Sequence, residues 1–195
     1  MKSLIAAASV AVLAAAVPAL AQAQTDTVAP GAYGTLGYAD AHTSGVDLGA
    51  IEGRLGYRFN NWLGVEGELA GGVKDEKRSD TFGTAGTVNT KIKLQNEEAI
   101  YGVGFLPISP NFDLLARVGY GDTRIKATAT ATGGVGTLPA SASQSAHGGS
   151  WNFGAGAQYF FDGKNGLRGD YTRQEFTGSN SGHADVWSIA YSRRF

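Results

Sequence analysis

The chain has 195 residues, a length that suits one domain. Its 16 basic and 17 acidic side chains give a net charge of −1, so there is no basic excess to recruit nucleic acid, and no nucleic-acid-binding motif is present. It has no cysteine, which excludes a disulfide or thiolate-metal staple, and its 29 glycines with few Leu or Ile argue against a large conventional core.

In chain order, the first element is an export signal. Met1-Lys2-Ser3 is a short charged start, Leu4 to Ala16 is apolar, Pro18 breaks the run, and Ala21-Gln22-Ala23 offers a small-x-small cleavage site. The apolar run is too short to span a bilayer as a helix. Residues 1–23 are therefore expected to be a cleaved secretory signal peptide. The mature domain, 24–195, starts at Gln24 and loses only Lys2 from its charge, giving −2. Beyond the signal no run of 18 apolar residues remains, which excludes transmembrane helices.

The rest is dominated by period-two alternation, the pattern of strands with two different faces. Eight segments are predicted: 32–39, 46–59, 62–74, 90–106, 112–127, 149–161, 167–176 and 185–195. In 149–161, Trp151, Phe153, Ala155, Ala157, Tyr159 and Phe161 lie opposite Asn152, Gly154, Gly156, Gln158 and Phe160. In 112–127, Phe112, Leu114, Ala116, Val118 and Tyr120 lie opposite Asp113, Leu115, Arg117 and Gly119.

The connections alternate in length. Asn60-Asn61, Ser109-Pro110-Asn111 and Asp162 to Gly166 are tight turns, whereas Asp40–Gly45, Asp75–Asn89, Thr128–Gly148 and Thr177–Ala184 are longer. In the second longest, Lys74 to Asp80 is a mixed-charge patch. In the longest, Thr128, Thr130 and Thr132 are spaced to extend a hairpin. Short turns at one end and long loops at the other match an all-β, closed, antiparallel up-and-down transmembrane β-barrel of about eight strands.

Alternation leaves open which face is inside; a soluble ligand-binding barrel would put the apolar face inward. Three features favour the reverse. The non-apolar face carries glycine with opposite charges: Glu52, Glu66, Glu68, Glu98 and Asp170 against Arg54, Arg58, Arg117, Arg168 and Arg194. Eight strands enclose a lumen that such side chains fill. Aromatics gather near strand ends, as at Tyr57, Phe59, Trp62, Phe112, Tyr159, Phe161 and Trp187, like the girdles at membrane interfaces. A tilted strand of about 11 residues also covers the apolar band.

With these residues on the page, the hairpin Tyr57 to Gly67, the segment Leu106 to Phe112 and the final strand resemble the small outer-membrane β-barrel proteins. That group is the outer membrane protein β-barrel domain family, which resembles the OmpA transmembrane domain, OmpX and Ail. The resemblance implies that Trp187, Ile189, Tyr191 and Phe195 form a C-terminal signal read by the barrel-assembly machinery; Arg193 departs from the apolar pattern usual there. It also implies residence in the cell outer membrane among lipid and lipopolysaccharide. Lys74, Lys77 and Arg78 are candidates for charge-assisted contact with lipid A phosphates.

Catalytic constellations are weak. His42-Thr43-Ser44 has the His-x-Ser spacing of lipid A 3-O-deacylases, but their flanking motif is missing and the pair falls at a loop tip. His42, His183 and Asp185 fall in the first and last external loops, where isolated polar residues are ordinarily solvated. Gly133 to Gly136 is not a phosphate loop, since no Lys-Ser/Thr follows. The sequence thus points to a non-enzymatic barrel with no cofactor and no metal, a structural and surface-interaction role, and an external ligand it does not name. The alternatives are a narrow channel for ions or small solutes, a lipid-modifying barrel enzyme, or a soluble periplasmic ligand-binding barrel.

Overall fold

The computed structural model describes residues 30–43, 45–81, 87–132, 141–178 and 182–195. The predicted signal peptide lies outside them, as does Ser44. Nine strands follow in chain order: β1 (Gly31–Thr43), β2 (Val46–Arg58), β3 (Leu63–Lys74), β4 (Glu76–Thr81), β5 (Thr87–Ser109), β6 (Phe112–Thr132), β7 (Ser141–Phe160), β8 (Asn165–Phe176) and β9 (His183–Arg194). Apart from β3 and β4, neighbours in sequence pair antiparallel, β1 pairs with β9, and β3 pairs with β5, so β1–β3 and β5–β9 make a ring of eight. The ninth strand, β4, continues β3 outward and pairs only with β5. The regions expected as long loops are therefore largely hairpin: Lys74 to Asp80 lies mainly in β4, and Thr128 to Thr132 lengthens β6.

The tight turns are fixed by side chains. Asn60 Oδ1 accepts the N–H groups of Trp62 and Leu63 at 2.8 and 2.9 Å. Asp162 Oδ1 accepts those of Lys164 and Asn165 at 2.9 and 2.6 Å, and Gly163 takes the left-handed φ of 78° that follows.

Burial decides the polarity of the wall. Leu36, Leu55, Leu69, Ile100, Trp187 and Ile189 are each more than 60% exposed, while Arg54, Arg168 and Glu66 inside the ring are 2% exposed or less. The outside is apolar and the inside charged, which suits a lipid solvent and not water. Closure pairs the strand backbones around the ring and leaves no edge in that medium. Aromatic pairs mark both rims. Tyr57–Phe59 and Tyr159–Phe161 sit at the short-turn end, with ring centroids 5.6 and 5.7 Å apart. Tyr120–Trp151 and Tyr171–Trp187 stand at the other, at 5.5 and 4.8 Å.

Candidate functional site: the charged lumen and the outer rim

The central layer of the lumen holds three guanidinium groups and four carboxylates. Arg54 donates through Nε to Glu68 (2.5 Å), through NH1 to Asp170 (2.7 Å), and through NH2 to Glu52 (2.9 Å) and Ser188 (3.2 Å). Arg168 grips both oxygens of Glu66 and donates through Nε to Asp170 at 2.9 Å. Arg117 reaches Glu68 at 2.8 Å and Thr172 at 2.5 Å. Two tyrosine hydroxyls complete the layer, Tyr33 donating to Glu66 (2.7 Å) and Tyr101 to Glu68 (3.2 Å).

Nearer the short turns, Asp113 gathers Arg58 (3.1 Å), Arg194 (2.7 Å) and Gln158 (2.8 Å). Rings floor this layer. The guanidinium carbons of Arg58 and Arg194 lie 4.3 and 3.6 Å from the Phe105 and Phe160 centroids. Toward the long hairpins, Gln174 donates to Glu97, and Asn152 bridges Ser150 and Tyr101.

Glycine makes room for these groups. A Cβ at Gly56 would stand 2.4 Å from Cζ of Tyr33, and one at Gly156 would stand 2.6 Å from Oδ1 of Asp170. Each guanidinium of the central layer, and each carboxylate there except Glu52, has more than one hydrogen-bond partner, which is how a buried charge offsets its desolvation.

Glu52, Arg54, Arg58, Glu66, Glu68, Arg117, Arg168 and Asp170 are buried in the lumen as their alternation suggests, and Arg194 is part-buried at its short-turn end. Glu98 is not there. It is exposed on the outer wall opposite Asp122, and Glu97 takes the inward position. Tyr101, Val103 and Phe105, which pack inward in the same unbroken register, set this phase; the unpaired Gln95 shifts the register only farther up, between Leu94 and Asn96. Asp113, spaced by two and four from Leu115 and Arg117, was recoverable from the alternation. The inward Tyr33 and Tyr101 carried no such signal, because tyrosine also suits the lipid rim.

At the outer rim, β1–β9 pairing brings His42 opposite Asp185. His42 is paired with Asp47, and Asp185 accepts from Tyr171 (2.6 Å) and Arg173 (3.2 Å). Among the described residues, no cluster of three His, Cys, Asp or Glu is placed to hold a metal ion. Of the three basic candidates, Lys74 pairs with Asp40 at 3.8 Å, and Arg78 approaches Asp80 at 3.5 Å. Lys77 stands opposite Lys91, on the other face of the ribbon from Arg78. Trp187, Ile189, Tyr191 and Phe195 all point outward, and Arg193 reaches over the Phe195 ring at 5.9 Å.

The family profile described as the outer membrane protein beta-barrel domain matches residues 7–195. The chain belongs to that family. It is a transmembrane outer-membrane β-barrel protein. Among solved structures, it is similar to Ail of Yersinia pestis, solved in complex with the heparin analogue sucrose octasulfate. The identity is 18% and the TM-score 0.55, over 86% of this chain and 100% of that one. The N-terminal β-barrel domain of Pseudomonas aeruginosa OprF matches at 10% identity and TM-score 0.52, over 83% of this chain and 97% of that one. Neisserial surface protein A matches at 12% identity and TM-score 0.52, over 87% and 99%. At these identities the likeness is one of fold. No curated protein sequence matches the chain.

Proposed function

We propose that this chain is a non-enzymatic barrel, exported by a cleaved signal at residues 1–23, that acts as a sealed anchor and presents its external hairpins as an interaction surface. The observation that carries the reading is the lumen. Arg54, Arg168 and Glu66 are almost wholly buried and joined across the ring, so the narrow interior is spent on a salt-bridged plug. The strand ending in Trp187, Ile189, Tyr191 and Phe195 serves the barrel-assembly machinery, and the surrounding lipid includes lipopolysaccharide.

Single-channel recording of the protein in a planar bilayer tests the plug. The expected result is no steady conductance. Steady conductance that changes when Glu52 or Arg117 is neutralised would overturn the sealed-anchor reading in favour of a narrow pore.

A further inference from the structure

The outer face of the wall carries a vertical sequence of three environments on β2, β3, β5 and β6. Lowest is a groove of about 610 Å³, walled by Leu55, Leu69, Ile100 and Tyr120. Gly53 and Gly67 floor it: a Cβ at Gly67 would meet nothing within 4 Å, and one at Gly53 only a backbone oxygen at 3.9 Å. At its outer end stand two carboxylates, Glu98 directly opposite Asp122, with Asn96 Nδ2 donating to Glu98 at 3.2 Å.

Above them the same face turns basic. Arg124 pairs in register with the half-buried Asn96, Lys126 with Lys93, and Lys77 with Lys91, the basic side chains all exposed; His147 flanks Arg124 from β7. Asp75 bridges Lys91 at 2.7 Å, and Glu98 and Asp122 are the same-face pair next below Arg124.

Like charges directly opposite each other on a sheet repel and destabilise it. This face stacks three such pairs, Glu98/Asp122, Lys93/Lys126 and Lys77/Lys91. Glu98/Asp122 lies just beyond the Tyr120–Trp151 girdle and Lys93/Lys126 four residues farther along β6, at the depth of lipid headgroups, with Lys77/Lys91 above them. A ligand complementary to the face has an acyl chain for the groove, neutral N–H and O–H donors for the carboxylates, and phosphate for the lysines and Arg124. A glycerophospholipid places ester acceptors between chain and phosphate and gives the carboxylates nothing to accept. An N-acylated amino-sugar lipid places amide and hydroxyl donors there.

We propose that this face is a binding site for one phosphorylated, N-acylated glycolipid of the outer leaflet, with a chain in the Gly53–Gly67 groove and phosphate on Lys93, Arg124 and Lys126. It rests on the reading of the long hairpins as external.

The test titrates the detergent-folded barrel with bisphosphorylated lipid A or with phosphatidylglycerol and follows the midpoint of its heat-induced gel-mobility change. Lipid A is expected to bind about tenfold more tightly than phosphatidylglycerol, and Lys93→Ala/Lys126→Ala to lose about tenfold, as for a lost charged contact. Since that pair is repulsive, the double variant folds at least as well as the parent without lipid. Gly67→Leu, whose Cβ meets nothing within 4 Å and whose chain fills the groove, is expected to lose a similar factor, whereas Lys74→Ala, bridged to Asp40, is not.

Equal affinity for the two lipids, or unchanged affinity in both the lysine pair and Gly67→Leu, would overturn the site. Capture of a sulfated oligosaccharide by the same lysines with lipid A binding untouched would do so too. Those results leave a sealed barrel sealed, whereas conductance refutes the anchor reading and leaves lipid binding standing.

Discussion

Arg54→Met is the most informative change in the lumen, because one guanidinium there serves three carboxylates. Methionine keeps the apolar stem of the side chain and removes the charged guanidinium. Glu68 then retains Arg117 at 2.8 Å and Tyr101 at 3.2 Å, and Asp170 retains Arg168 at 2.9 Å. Glu52 loses the only guanidinium bonded to it among the described residues, and its second oxygen already has no hydrogen-bond partner. Leaving a buried charge uncompensated costs about 3–5 kcal/mol, so the variant should lose about that much folding free energy. Adding Glu52→Gln removes the stranded charge and should restore about 2 kcal/mol, a coupling typical of residues in one ion network. Urea titration of the barrel in lipid vesicles, followed by tryptophan fluorescence and gel mobility, measures all three proteins. An Arg54→Met variant within about 1 kcal/mol of the parent would refute the reasoning, since it would mean that lumen water screens these pairs as at a surface.

Two further outcomes follow from local geometry. Gly56→Ala drives a Cβ into the Tyr33 ring, whose hydroxyl holds Glu66. It should cost about 1–3 kcal/mol in the same titration, while Gly67→Ala, facing open space, should cost under about 1 kcal/mol. At the Asp162 turn, the N–H groups of Asn165 and Lys164 hold the carboxyl at about 2, below its ordinary 3.8. Because the folded value is the lower one, the turn's contribution is complete above pH 3.8 and is lost as pH falls through about 2. NMR titration of the Asp162 carboxyl carbon should show that midpoint, and one near the ordinary value would mean the turn bonds are not made.

Much of this architecture was legible because a membrane wall enforces period two along each unbroken register: lipid on one side and a narrow lumen on the other leave each residue one choice of face. Turn chemistry at Asn60 and Asp162 then set the strand ends at the short-turn side. Alternation becomes ambiguous where both faces carry similar residues. In β5, Tyr101, Val103 and Phe105 point inward while Ile100 and Leu106 belong to the other set, so hydropathy alone cannot choose the phase. The inward phase of Tyr101, Val103 and Phe105 carries Glu97 inward and Glu98 outward, and the extra residue Gln95 then reverses the phase farther up the same strand, turning Leu94 inward. The basic face was hidden for the same reason. Lys77, Lys93 and Lys126 lie far apart in sequence and meet only through register.

The unequal lengths of the strands give the molecule a tall side. β5, β6 and β7 run 23, 21 and 20 residues, against 12 or 13 for the other strands of the ring. About eight to ten extra residues at about 3.3 Å each, tilted as in the wall, raise this sector about 20 Å above the rest of the rim. Past Gly149, β7 has a strand on one side only, and β4 likewise pairs only with β5. The sheet that is edgeless in the apolar band therefore becomes a free-standing four-stranded blade above the rim, with two open edges. Those edges are Ser141 to Gly149, rich in serine and glycine, and the charged Glu76 to Asp80, sequences that discourage pairing with another strand. On the proposed orientation, with the long hairpins external, a large object descending on the cell would meet the blade, from one side, well before it met the barrel.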